Sequence, residues 1–141
     1  MTTVARNVVA ALAGVVVGGL VNMGLVNIGP FLVPLPEGAD VSTMEGLRDS
    51  MQSFTPVNFM FPFLAHALGT LVGAFVAAKL AASHCAQVAI GLGLFFLIGG
   101  VAAVFMLGGP LWFIVADLLL AYIPMAYLGA VLAGATRGRA A

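Results

Sequence analysis

Two ionisable side chains lie inside stretches of sequence that are otherwise almost entirely apolar. Asp117 is the only charged residue between Gly108 and Gly134, and His66 lies in the apolar run that follows Pro56. An imidazole titrates near neutral pH, and a carboxylate can accept a proton or bind a cation. If the two side chains meet, they have the chemistry of proton transfer or of cation binding.

Counting along the helices places these polar residues at similar depths. At 1.5 Å per residue, Asp117 lies about 10 Å and His66 about 15 Å from the same predicted membrane interface. The first apolar stretch runs back from that interface and places Asn27 near the depth of Asp117 and Asn22 near that of His66. The sequence therefore predicts one polar layer that is built from three different helices.

The helical periodicity also predicts which way the histidine points. At 100° per residue, His66 shares a helical face with Gly69, Gly73 and Ala77, a set of small residues that favours close helix packing. Thr70 lies on the same face. His66 is therefore expected to point into protein and not into lipid.

A proline affects the surroundings of the carboxylate. Pro124 has no amide hydrogen, so the backbone carbonyl of Leu120 loses its partner within the helix, close to Asp117. This carbonyl joins the polar side chains as a possible ligand. The predicted intramembrane site consists of Asp117, His66, Asn22, Asn27, Thr70 and the Leu120 carbonyl.

Two interpretations of this polar cluster are open at the level of sequence. An aspartate near the centre of a span costs about 2.5–3.5 kcal/mol on insertion scales, so something must compensate Asp117. The cluster either fixes helix packing, with interhelical hydrogen bonds of about 0.6–2 kcal/mol each, or forms a site for a proton, cation or small solute. The second interpretation predicts a small transporter or channel, or a subunit of one; the first predicts an accessory membrane subunit or scaffold.

The composition indicates that the polar residues lie on membrane-spanning helices. Hydrophobic residues make up 62% of the 141-residue chain, charged residues only 7%, and the mean hydropathy is +1.17. Soluble domains have about 25% charged residues. We expect an all-α integral membrane protein that forms one domain, residues 1–141, as an up-down bundle of four helices. The predicted spans are 7–33, 57–82, 87–107 and 111–135.

The loop at 34–56 is predicted to face outward. It contains four acidic residues and one basic residue, whereas the other basic residues fall on the opposite side: Arg6, Lys79, Arg137 and Arg139. The positive-inside rule then places both termini in the cytoplasm, in a bacterial inner membrane. Residues 43–54 predict a short amphipathic helix with Ser42 as N-cap and Glu45 completing a capping box. It is either a connector on the surface, which we favour, or a lid.

Small residues at intervals of four predict tight crossings between the helices. Gly14 and Gly18 form such a stripe in the first span, and Gly69, Gly73 and Ala77 form a longer one in the second. Four helices hardly suffice for both a filled bundle and an internal pathway. We therefore expect a homo-oligomer or a membrane-protein partner within the lipid bilayer.

Several classes of function are not indicated. The few, scattered positive residues provide no surface for nucleic acid, and the single Cys85 has no nearby thiol or histidine cluster that would predict a disulfide or a metal site. The sequence contains no glycine-rich phosphate loop and no nucleophile with an evident base. We assign no cofactor, no metal and no catalytic residue, and we do not favour an enzyme.

Overall fold

Long apolar helices make up most of the computed structural model, which describes residues 1–136. Four helical segments are long and apolar enough to cross a membrane, and no strand occurs in the described part of the chain. The prediction of an all-helical membrane protein with four such helices is confirmed. Arg137 and Arg139 lie outside the described residues. The helices are α1 (Thr3–Leu32), α2 (Met44–Ser50), α3 (Met60–Leu80), α4 (Cys85–Leu107), α5 (Leu111–Leu120) and α6 (Ile123–Leu132), with short 3-10 turns at Met51–Ser53 and Pro56–Phe59.

Helices α1 and α3 are antiparallel and meet along four glycines, which we call the glycine seam: Gly14, Gly18, Gly69 and Gly73. Gly14 faces Gly73 and Gly18 faces Gly69, so the carbonyl groups of each helix approach the other backbone. A methyl group on Gly73 would lie 2.7 Å from the carbonyl oxygen of Gly14. The seam therefore requires glycine, and its close backbone packing supplies the contact that the hydrophobic effect does not supply in lipid.

Alanine side chains fill the centre of the bundle near the α3–α4 turn. Their small size allows α3, α4 and α6 to pack closely, while α1 packs chiefly on α3 and touches α4 only weakly. The side chains in this part of the bundle are almost completely buried. The buried cluster consists of Ala74, Ala77, Ala78, Ala89, Leu92, Ala126 and Ala130.

Two residues near the start of α1 bind the far end of α3. The side-chain oxygen of Asn7 accepts hydrogen bonds from the amides of Ala82, at 2.8 Å, and Ser83, at 3.3 Å, while its amide nitrogen donates to the Ser83 carbonyl at 3.1 Å. The Nε of Arg6 donates to the Leu80 carbonyl at 3.1 Å. The Arg6 bond satisfies a carbonyl that the end of α3 leaves unpaired, and the Asn7 bonds satisfy backbone groups of the α3–α4 turn.

The loop between α1 and α3 is held by side-chain hydrogen bonds, and its helix begins one residue later than we predicted. Thr43 is the N-cap, since its hydroxyl accepts from the Gly46 amide at 2.9 Å. The predicted N-cap, Ser42, instead donates its hydroxyl to the carboxylate of Asp40 at 2.6 Å. The helix therefore starts at Met44, and the predicted capping box of Ser42 and Glu45 is wrong because the cap lies at Thr43.

The predicted fourth span is one segment by length but two helices by backbone geometry. The amide of Ala121 bonds the Asp117 carbonyl at 2.9 Å, and the next helix starts with the amide of Ala126 bonding the Tyr122 carbonyl at 2.8 Å. Tyr122 has φ −113° and ψ −79°, outside the helical range. Because Pro124 has no amide hydrogen, the ladder of hydrogen bonds cannot run through this point.

Candidate functional site

The structure places His66 of α3 directly against Asp117 of α5. The Nδ1 atom of His66 lies 2.8 Å from Oδ1 and 2.9 Å from Oδ2 of the carboxylate. An ionised carboxylate offers only acceptors, so Nδ1 then carries the hydrogen and donates it. The two ionisable residues of the predicted polar layer thus form one hydrogen-bonded pair.

Tyr122 is a third member of this cluster, and the sequence did not identify it. Its hydroxyl donates to Oδ2 of Asp117 at 3.1 Å, and its ring stacks on the imidazole of His66 with centroids 5.6 Å apart. On a continuous helix, residues five apart point about 140° away from each other. The break between α5 and α6 brings Tyr122 back to the carboxylate.

The three members of the cluster differ in exposure. Asp117 and Tyr122 are 4% and 3% exposed, whereas the side chain of His66 is 27% exposed. The structure describes no other titratable side chain bonded to the carboxylate. His66 therefore lies between the buried Asp117 and the space beyond it.

That space is a half-open cavity of about 220 Å³ that is lined by residues of α1, α3 and α4 and by Tyr122. His66, Asn22 and Thr70 contribute polar groups to its lining, and Tyr122 contributes part of its ring. Asp117 does not line it. On the side toward the alanine cluster the cavity ends at the glycine seam, where Gly18 and Gly69 are in contact.

The polar groups of the lining retain free hydrogen-bonding capacity. Within residues 1–136, no hydrogen bond joins the half-buried side chain of Asn22 to protein, whereas no buried side-chain polar atom lacks a hydrogen-bond partner. The Nε2 atom of His66 likewise has no protein partner among the described residues. Partly exposed amide and imidazole groups without a protein partner can bond a polar ligand or water, so the lining is suited to either.

Two predicted members of the site lie elsewhere. The side-chain amide of Asn27 donates to the Met23 carbonyl of its own helix at 2.7 Å and is exposed on the surface of α1. The side chain of Leu120 is half exposed on an outer apolar surface beside Leu119, and Leu120 is not part of the cavity lining. The structure brings together Asp117, His66, Asn22 and Thr70.

This arrangement can take up, hold and pass on a proton. A histidine with one nitrogen on a carboxylate and the other open to a cavity is the geometry of a general base or a proton carrier. No third His, Cys, Asp or Glu joins the pair within the described residues to complete a metal site. The chain matches no protein-family model, no curated protein and no solved structure.

Proposed function

We propose that this protein is a small transporter or channel, or a subunit of one, for a proton, cation or small solute. The observation that carries the proposal is the exposure of His66 to the cavity while the same side chain is bonded to the buried Asp117. Intramembrane ionisable residues generally face a bundle interior or a wet cavity and mark pathways for ions or protons.

The alternative is a scaffold in which the cluster only fixes helix register. A register device needs each polar group to be paired within the protein, as Asp117 is with His66 and Tyr122. Asn22 and the second nitrogen of His66, which are both partly exposed, have no such partner within the described chain. Their unused groups around one cavity favour a site over a purely structural cluster.

The architecture that we propose for this function is an up-down bundle with α2 on the outer surface of a bacterial inner membrane. Arg6 and Lys79 lie at the end of the bundle that holds the α3–α4 turn, and the acidic loop at 34–56 lies at the other end. By the positive-inside rule the first end is cytoplasmic, and so are both termini. We further propose that the protein works as a homo-oligomer or with another membrane protein, because four helices enclose little space.

The proposal is tested by measuring flux with the purified protein in liposomes. Proton, Na⁺ and K⁺ fluxes are followed with ion-sensitive dyes after an imposed gradient, for the wild type and for Asp117→Asn. The matched control is Asp49→Asn, the same chemical change at an exposed position of the loop. We expect Asp117→Asn to remain folded and to lose at least nine-tenths of the flux, and Asp49→Asn to retain it.

The scaffold alternative predicts a different pair of results. In that case the folded wild type shows no flux above protein-free liposomes for any of the ions, and Asp117→Asn lowers the thermal stability in detergent. Thermal unfolding of both variants in the same detergent therefore accompanies the flux assay.

A further inference from the structure

We propose that the species transported through this site is the proton, and that His66 relays it between the cavity and Asp117. This inference rests on the proposed transport function and specifies its substrate. The inference follows from which atoms of His66 and Asp117 already take part in hydrogen bonds and which atoms face the cavity.

The carboxylate is poorly placed to bind a metal cation. Both oxygens of Asp117 already accept hydrogen bonds, from His66 at 2.8 and 2.9 Å and from Tyr122 at 3.1 Å. A Na⁺, Mg²⁺ or Ca²⁺ ion in the cavity would have to displace His66 to reach these oxygens, because Asp117 is 4% exposed and does not line the cavity, and it would still lack most of the six or more oxygen ligands that such hard cations take. A proton needs no displacement, because the hydrogen bond from His66 is itself a path to the carboxylate.

The relay consists of two proton movements on one imidazole ring. A hydronium ion in the cavity transfers its proton to Nε2 of His66, which leaves a water molecule and gives the imidazolium. The Nδ1–H bond then breaks, and that proton bonds to the carboxylate of Asp117 over the 2.8 Å contact. The products are a neutral His66 that carries its hydrogen on Nε2 and a neutral Asp117 acid, so the pair has gained one proton and lost its single negative charge.

Apart from Tyr122, no other titratable side chain of the described residues lines the cavity or bonds the pair. Around the cavity, α1 contributes Asn22 and α4 contributes Phe96, Gly99, Gly100 and Ala103, none of which titrates. Tyr122 is the other titratable side chain that the structure places against the pair, and it acts as a hydrogen-bond donor to Asp117. Replacing His66 should therefore disconnect Asp117 from the cavity without removing the acid.

The test compares fluxes driven by proton, Na⁺ and K⁺ gradients. It then adds free imidazole to a variant that lacks the His66 side chain. In wild-type liposomes we expect proton flux that does not depend on Na⁺ or K⁺, and a loss of at least tenfold in His66→Gln. Added imidazole should restore flux to His66→Ala, whose smaller side chain leaves room for it. Imidazole also carries protons through lipid, so the same addition to the double variant His66→Ala, Asp117→Asn gives the background.

The results separate this inference from the proposed function. Flux of Na⁺ or K⁺ through the wild type, or full proton flux through folded His66→Gln, overturns the proton relay and leaves transport standing. Equal rates with imidazole in His66→Ala and in the double variant overturn the role of His66 as carrier. If the folded wild type transports none of the three ions, the inference fails together with the proposed transport of protons and cations, and only transport of a small solute is left.

Discussion

Tyr122 donates a hydrogen bond to Asp117 across a break in the fourth span, at 3.1 Å. The bond exists because the chain leaves the helical conformation at Tyr122, two residues before Pro124. A proline that interrupts backbone hydrogen bonding thus allows a side chain to approach the buried carboxylate. The irregular backbone faces protein, as it must at membrane depth.

Removing this hydroxyl should weaken the fold measurably while preserving its packing. Tyr122→Phe deletes the donor to Asp117 and keeps the ring that stacks on His66, so we expect a loss of about 1 kcal/mol in the free energy of unfolding. Thermal or chemical unfolding in detergent measures it. Tyr127→Phe is the control, because Tyr127 is exposed, and it should change stability by less than about 0.5 kcal/mol. Equal effects of the two substitutions would contradict a stabilising bond.

The glycine seam should not tolerate a methyl group. Gly73→Ala places a carbon 2.7 Å from the carbonyl oxygen of Gly14, so α1 and α3 must separate, and we expect a loss of about 1–3 kcal/mol. Gly24→Ala is the control on α1, since a methyl group there meets no described atom within 4 Å. The two variants are compared by measuring their melting temperatures in the same detergent. A Gly73→Ala protein as stable as Gly24→Ala would show that the helices do not approach this closely.

Asn7 should stabilise the turn that follows α3. Asn7→Ala removes the acceptor for the amides of Ala82 and Ser83, and we expect a loss of about 1–2 kcal/mol. Hydrogen exchange at the Ala82 amide should accelerate. Asn27→Ala serves as the control, because Asn27 bonds only a carbonyl of its own helix and is exposed. Unchanged exchange at Ala82 in Asn7→Ala would rule out this role.

The loop should respond to acid through Asp40. Hydrogen bonds from the hydroxyl and the amide of Ser42 hold the pKa of Asp40 below its ordinary value of 3.8. Because the folded pKa is the lower one, this contribution is complete above about pH 4 and is lost as the pH falls through the folded pKa. Ser42→Ala should raise the pKa of Asp40 toward 3.8, as measured by NMR titration of its carboxyl carbon.

The control for this titration is Ser53→Ala. The hydroxyl of Ser53 donates to the Ser50 carbonyl and does not bond Asp40, so its removal should leave the pKa of Asp40 in place. An unchanged pKa of Asp40 in Ser42→Ala would show that the Ser42 hydroxyl does not lower it.

The sequence predicted that His66 and Asp117 lie close together, but it did not predict their other neighbours. Depth follows from helix rise and the position of the predicted interface, and His66 and Asp117 do lie within hydrogen-bonding distance. The membership of Tyr122 was not predictable, since it depends on dihedral angles at the break between α5 and α6. The same holds for Asn7, whose partners lie about 75 residues away in a turn that has no periodicity to place it.

Two glycines in the cavity wall could be substituted in evolution without affecting the packing of the helices. A methyl group on Gly19 or Gly99 would meet no described atom within 4 Å, although both residues line the cavity. Single substitutions there would reduce the free volume opposite His66 without disturbing the helix contacts at Gly14 and Gly73. The size of the cavity can thus be adjusted in small steps, independently of the residues that hold the bundle together.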